Sequence, residues 1–141
     1  MGFFKIRRRE ANEPVATIVD DAYRLAFDQA PLGIAHVGMD GGLSAVNPAL
    51  CAILRRTPAE LAATTFVRLT HPADIESDIG QIGRLLRGDI PRYTMEKRYL
   101  LPDGSHIWAR LHVSLRRDAA GNPLHFISMV EEIPTPADPA A

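Results

Sequence analysis

The sequence predicts an α+β domain: a five-stranded antiparallel sheet with short helices over one face and a helix at its N-terminal end. Three observations carry that expectation. Apolar residues near the start of the chain recur at three and four, the helical period. The last third instead alternates apolar with polar residues, the strand period. Between them, Asn47-Pro48 and His71-Pro72 each place a capping side chain directly before a proline, which marks two helix starts.

Taken in order, Ile18, Val19, Ala22, Leu25 and Ala26 form an apolar stripe along one side of the first helix, which stops before Pro31-Leu32-Gly33. Residues 33–39 read as a strand and residues 43–46 as its return. Asp40-Gly41-Gly42 joins them, because glycine tolerates the positive φ of a tight hairpin. A short helix follows over 48–55, and Pro58 starts another turn through residue 62. The longer helix, 72–87, carries Asp74 in its first turn near the positive end of the dipole. Ile75, Ile79, Ile82 and Leu86 define its expected buried face, and Gly88 its C-terminal end. Gly80 and Gly83 each cost about 1 kcal/mol against alanine inside a helix, so this element is soft or something packs close to its backbone.

Three strands complete the chain over 92–101, 106–116 and 124–132, joined at Pro102-Asp103-Gly104 and at 118–122. In the middle one, Ile107, Ala109, Leu111, Val113 and Leu115 alternate with His106, Trp108, Arg110, His112 and Ser114. The last strand is apolar on both faces, through Leu124, Phe126 and Val130 on one and Ile127 and Met129 on the other. A strand covered on both sides belongs in the middle of a sheet.

The chain has 141 residues, 46% of them hydrophobic, which suits one globular domain. With 16 basic and 17 acidic residues its formal charge is -1, so no general attraction to nucleic acid is expected. One cysteine, Cys51, excludes an internal disulfide and a cysteine-rich zinc site. No apolar run approaches the ~18 residues of a membrane span, and no signal peptide is evident, so the expected location is the cytoplasm. The expected organisation is a flexible basic segment over 1–13, a folded domain over 14–133 and a proline-rich tail over 134–141. Lys5, Arg7, Arg8 and Arg9 are read as a solvated tail rather than a membrane contact, although each basic residue is worth about 1 kcal/mol at an anionic surface.

Several segments, in this order, resemble a PAS domain. They are residues 27–34 (Phe-Asp-Gln-Ala-Pro-Leu-Gly-Ile), Asp40-Gly41, Val46-Asn47-Pro48-Ala49-Leu50, and Leu69-Thr70-His71-Pro72-Ala73-Asp74. Glu96-Lys97-Arg98-Tyr99, Asp103-Gly104 with Trp108, and Asp118 with Gly121 follow. The resemblance spans residues 22–133 and implies a cupped sheet with short helices over one face, often around a small pocket. It also implies a sensory, dimerising or protein-docking module with no catalytic activity of its own, and N-terminal helices that often mediate pairing. Many such domains attached to kinases or cyclases end in Asp-Ile-Thr; here Glu132-Ile133-Pro134 departs from that pattern.

Cofactor chemistry needs hardware that the sequence does not offer. The helix over 72–87 has no histidine to ligate haem, and His71 at its start reads as a cap. Cys51 lies in an apolar helical run, as a packed residue rather than a flavin-adduct thiol. His71 and Asp74 read as a cap and a first-turn acid rather than metal ligands, and His106 and His112 stand about 20 Å apart along one strand. Neither a Ser-His-acid arrangement nor a phosphate-binding glycine loop is present. No catalytic residue, metal, haem or flavin is therefore expected.

The expected pocket lies between sheet and helices, lined by Ile34, Leu50, Ile53, Leu54, Ile79, Ile82, Leu86, Leu111, Val113 and Phe126, with Asn47 and Tyr99 as its polar groups. The expected contact surface is Ile18, Val19, Ala22, Leu25 and Ala26 together with Trp108. Function is accordingly expected to be protein interaction and homodimerisation in a bacterial-type signalling pathway, with a partner signalling protein. The alternative is a sensor that binds a small apolar metabolite and relays to a histidine kinase or a cyclic-dinucleotide enzyme.

Overall fold

Residues 15–137 are described by a computed structural model, with side chains from residue 20 onward. The basic segment 1–13 and the end of the tail, 138–141, lie outside the described residues, as do the side chains of Ile18 and Val19. The chain runs α1 (Val15–Gln29), β1 (Gly33–Val37), β2 (Leu43–Val46), α2 (Pro48–Leu54), α3 (Pro58–Ala62), α4 (Phe66–Leu69), α5 (Pro72–Leu86), β3 (Arg92–Leu100), β4 (His106–Arg117) and β5 (Pro123–Ile133). The strands form one antiparallel sheet in the order β2-β1-β5-β4-β3. The last strand occupies the centre, as expected, but it is not covered on both faces: Met129 on the outer face is 42% exposed. Register brings Leu111 opposite Val130 and Ala35 opposite Ser128.

Local chemistry explains the element boundaries. β1 ends at Val37, two residues before the expected limit, because Gly38 donates its N–H to the Gly42 carbonyl and the chain turns. Gly41 sits at φ +85 in that turn, and a Cβ there would also press within 3.3 Å of the Phe66 ring. Asn47 caps α2 by accepting the Leu50 N–H, and Thr57 and Glu60 form a reciprocal capping box on α3. The single turn α4, capped by Thr65, is too short to leave a periodic signal and was not expected from the sequence. His71 caps α5, its Nδ1 accepting the Ala73 N–H at 3.1 Å.

Odd-numbered positions of β3 and β4 face the helices. Tyr93, Tyr99, Ala109, Leu111 and Val113 pack with Phe126 and Val130 against Leu50, Leu54, Leu61, Leu69 and Leu85. The approach of β1 to α2 is close enough that a Cβ on Gly33 would lie 3.1 Å from the Leu50 Cα. The buried face of α5 is rotated from the expected one. Asp78 and Leu85 are buried and Ile82 packs on the core, while Ile79 is 49% exposed. The reason is electrostatic: Asp78 turns inward to meet a buried cation.

Candidate functional site

That cation is Lys97 on β3. Its Nζ donates to Asp78 Oδ2 at 2.6 Å and to Thr70 Oγ1 at 2.8 Å. The other Asp78 oxygen accepts a hydrogen bond from the Tyr93 hydroxyl at 2.8 Å, and the Thr70 hydroxyl in turn donates to the Phe66 carbonyl at 2.7 Å. The ammonium also lies 4.7 Å from the Tyr99 ring centroid and 5.6 Å from that of Phe66, within the range of cation–π attraction. Both members of the ion pair are 2% exposed. Desolvating two charges costs several kcal/mol each, and only close geometry with every oxygen partnered offsets it. Burial, and then the Asp78 charge, push the Tyr93 hydroxyl far above its ordinary range, so it stays a proton donor. Burial also raises Tyr99.

Beside this network lies a cavity of about 40 Å³. It is bounded by Lys97, Asp78, Tyr93, Tyr99 and Ser128 and by apolar side chains of the sheet and helices. Since roughly 10–15 Å³ of interior space suffices for one water, this volume admits only a few small atoms. Ser128 is buried, and its hydroxyl has no hydrogen-bond partner among the described residues.

The residues expected to line a pocket fall into two groups. Leu50, Leu54, Ile82, Tyr99, Leu111, Val113 and Phe126 border the cavity. Ile34, Asn47, Ile53, Ile79 and Leu86 do not. Ile34 follows Gly33 on β1 and so takes the face opposite to Ala35 and Val37. Asn47 is fully buried but spent elsewhere. Its Oδ1 accepts the N–H groups of Ile34 and Leu50, and its Nδ2 donates to the carbonyls of Phe27 and Leu32. It fastens the end of α1 to β1 and α2. Ile53 and Leu86 pack on the core away from the cavity. Sequence reasoning missed Lys97, Asp78, Thr70, Tyr93 and Ser128. A signal existed: Lys97 stands in the inward register of Tyr93 and Tyr99, and Asp78 stands three after Ile75 and four before Ile82.

The opposite face of the sheet is built differently. Ala22, Leu25 and Ala26 of α1 are exposed, Leu25 to 59%, and Trp108 is half-buried beneath the Arg98 guanidinium at 4.9 Å. Nearby, Tyr23 and Phe27 of α1 meet the His36 ring, which stacks on His125. Asp74, instead of only facing the α5 dipole, accepts the Arg98 backbone N–H at 2.8 Å and its guanidinium at 2.9 Å. Those bonds with Arg98 hold the Asp74 carboxyl below the usual carboxylate range. Cys51 packs against the core, and burial pushes its thiol up, away from the reactive thiolate. Among the described residues no three His, Cys, Asp or Glu side chains gather where they could hold a metal ion. No helix there is long and apolar enough to cross a membrane.

A sheet cupped under short helices around a small internal cavity defines the class of fold. The chain belongs to the PAS family, since a family model described as the PAS fold matches residues 44–130. It is 38% identical to a probable diguanylate cyclase, DgcE, of Escherichia coli (strain K12), a match covering 92% of this chain and 11% of that protein. It is 26% identical to the sensor histidine kinase TmoS of Ectopseudomonas mendocina, covering 92% of this chain and 13% of that protein. Among solved structures, the PAS domain of a Colwellia psychrerythraea protein matches with a TM-score of 0.75 at 16% identity, over 82% of this chain and 97% of that one. The chain therefore spans only about a tenth of the length of the curated relatives it matches. It is a PAS domain similar to a segment of a probable diguanylate cyclase and to a segment of a sensor histidine kinase.

Proposed function

We propose that this module works by protein contact, pairing with a second copy through α1 in a cytoplasmic signalling pathway and passing its state to a cyclase- or kinase-type partner. The observation that supports this most is the exposed apolar run of α1, where Leu25 is 59% exposed beside Ala22 and Ala26. The inner cavity points the same way, because about 40 Å³ leaves little room for a metabolite. Burying one leucine is worth roughly 2 kcal/mol, so one polar substitution should weaken a modest dimer without unfolding the core. Leu25→Glu is expected to lower the dimer fraction in sedimentation and leave the melting temperature unchanged. A wild type that stays monomeric at high micromolar concentration, or a variant that unfolds, would sink the reading.

The second reading, a sensor of a very small molecule, is favoured by the Ser128 hydroxyl, which has no hydrogen-bond partner among the described residues, in a wall whose charged groups, Lys97 and Asp78, are already paired with each other. Native mass spectrometry of the purified protein reads both possibilities at once. A retained small molecule on a monomer would reverse their order.

A further inference from the structure

Three side chains outside the cavity form one hydrogen-bonded chain across three elements. The Tyr23 hydroxyl of α1 meets Nε2 of His36 on β1, and Nδ1 of His36 meets Nε2 of His125 on β5 at 3.1 Å. The two imidazoles stack with centroids 4.9 Å apart, and Phe27 sets its ring edgewise to His36 at 5.8 Å. His36 lies opposite Ile127 in the ladder, so His125, two residues before Ile127, shares its face. Asn47 already fixes the end of α1 through the Phe27 carbonyl. Tyr23, one turn earlier, is a second polar fastening of the helix to the sheet.

We propose that Tyr23, His36 and His125 form a proton-operated latch, which holds α1 against the outer face of the sheet and opens when both imidazoles carry a charge. The accounting of protons acts on the joint between the two rings: Tyr23 can donate to a neutral Nε2 or accept from a charged one, so α1 is released through displacement of the His36 ring that the joint holds in place. The joint between His36 Nδ1 and His125 Nε2 needs one proton between two nitrogens. Two neutral rings satisfy it, one donating to the other. A single imidazolium satisfies it too, because the charged ring donates and the neutral ring accepts. Two imidazolium rings do not: both nitrogens then carry hydrogen, and two positive charges face each other at 3.1 Å.

The groups that face His36 among the described residues do not relieve that repulsion. His36 is faced by Tyr23 and Phe27 from α1, by His125 from β5 and by Arg116 from β4, and its carbonyl accepts the Ser44 hydroxyl from β2. None of these is a carboxylate. Burial, then the His125 and Arg116 charges, hold His36 below the ordinary histidine range. A depressed value means that the docked helix is favoured above the unperturbed histidine value of about 6.5, and that this contribution is lost as pH falls through the His36 value. Once Tyr23 is released, the bond from Asn47 to the Phe27 carbonyl still fastens the C-terminal end of α1, and its exposed stripe can reorient. Only that consequence rests on the reading of α1 as the docking element.

Hydrogen exchange of the α1 amides, at low micromolar protein and corrected for intrinsic pH dependence, tests the latch. Protection over residues 20–26 should fall about 10-fold relative to β4 between pH 7.5 and 5.0. His125→Gln, which keeps a neutral partner, should remove that step. A wild-type helix whose protection ignores pH, or a step that persists in His125→Gln, overturns the proposal. Should the variant also lose β4 protection, the wild-type His36 ring resonances decide. They must titrate over the same pH interval as α1 exchange, and a separate interval overturns it. Exchange reads how α1 is held on its own sheet, whereas sedimentation of Leu25→Glu reads association, so either idea can fail alone.

Discussion

On the inner face of β3, Lys97 reaches Asp78 at 2.6 Å with both side chains 2% exposed. One residue further along the same strand, at the sheet edge where the start of α5 meets β3, Arg98 reaches Asp74 at 2.9 Å with 24% and 15% exposure. On β4, Arg110 reaches Glu131, also at 2.9 Å, with 41% and 39% exposure. The distances are nearly alike, so bond length does not rank these pairs. Solvent does. Water screens the outer charges and hydrates either one if its partner leaves, whereas a widowed inner charge has nowhere to go. The inner face is thus an all-or-nothing arrangement that fixes one packing of α5 on the sheet. The outer face, with its two imidazoles and exposed α1, tolerates change and can carry a signal.

The largest effect should follow from breaking the inner pair on one side. Asp78→Ala leaves the Lys97 ammonium buried with Thr70 as its remaining hydrogen-bond acceptor, and should destabilise the domain by about 3–5 kcal/mol in urea denaturation. Replacing both, Asp78→Leu with Lys97→Met, removes the charges together and should recover most of that loss. A single substitution costing under ~1 kcal/mol would show that Lys97 reaches water, and the contrast between the faces would collapse.

The same contrast explains which parts of the molecule could be read from sequence. The sheet was legible because period-two alternation and turn residues are local signals: β4 declares its inner face through Ile107, Ala109, Leu111 and Val113, and β5 its central place through two apolar faces. The caps at Asn47 and His71 were legible for the same reason. The heart of the site was not. Lys97 and Asp78 are the residue types most often found in water, and each alone reads as surface. Only pairing across 19 positions of sequence makes their burial affordable, and no periodicity reports a partner that distant. Asn47 erred in the other direction. A buried polar residue looked like a ligand group, but its hydrogen bonds are consumed by four backbone groups. The His36–His125 joint was hidden similarly, since 89 positions separate its members.

An intermediate effect, and one tied to pH, is expected where the pair is half-buried. Bonds to Arg98 hold Asp74 below its ordinary value of 3.8. A carboxyl depressed on folding contributes stability that is complete above its unfolded value and is lost as pH falls through its folded one. Urea midpoints measured from pH 5 down to pH 2.5 should therefore drop for the wild type over that lower interval. Asp74→Asn should start lower at pH 5, by less than Asp78→Ala, and show a shallower drop. An equally steep acid loss in Asp74→Asn would assign the acid sensitivity to other carboxylates.

The smallest effect belongs to the outer rim. Arg110 bonds Glu131 at 2.9 Å and has Glu96 on its other side at 3.9 Å, so either acid can take over when the other is removed. Side chains about 40% exposed also exchange a protein partner for water at little cost. Glu131→Gln keeps the shape and a hydrogen-bond acceptor, and should change stability by no more than about 0.5 kcal/mol. The measurement that matters is the pair of urea midpoints for Glu131→Gln and Asp78→Ala under one condition. If their losses are equal, burial does not set the worth of an ion pair in this sheet, and the outer face is as rigidly specified as the inner one. A signal would then have no face on which to move, and the latch at His36 would have to open against a locked surface.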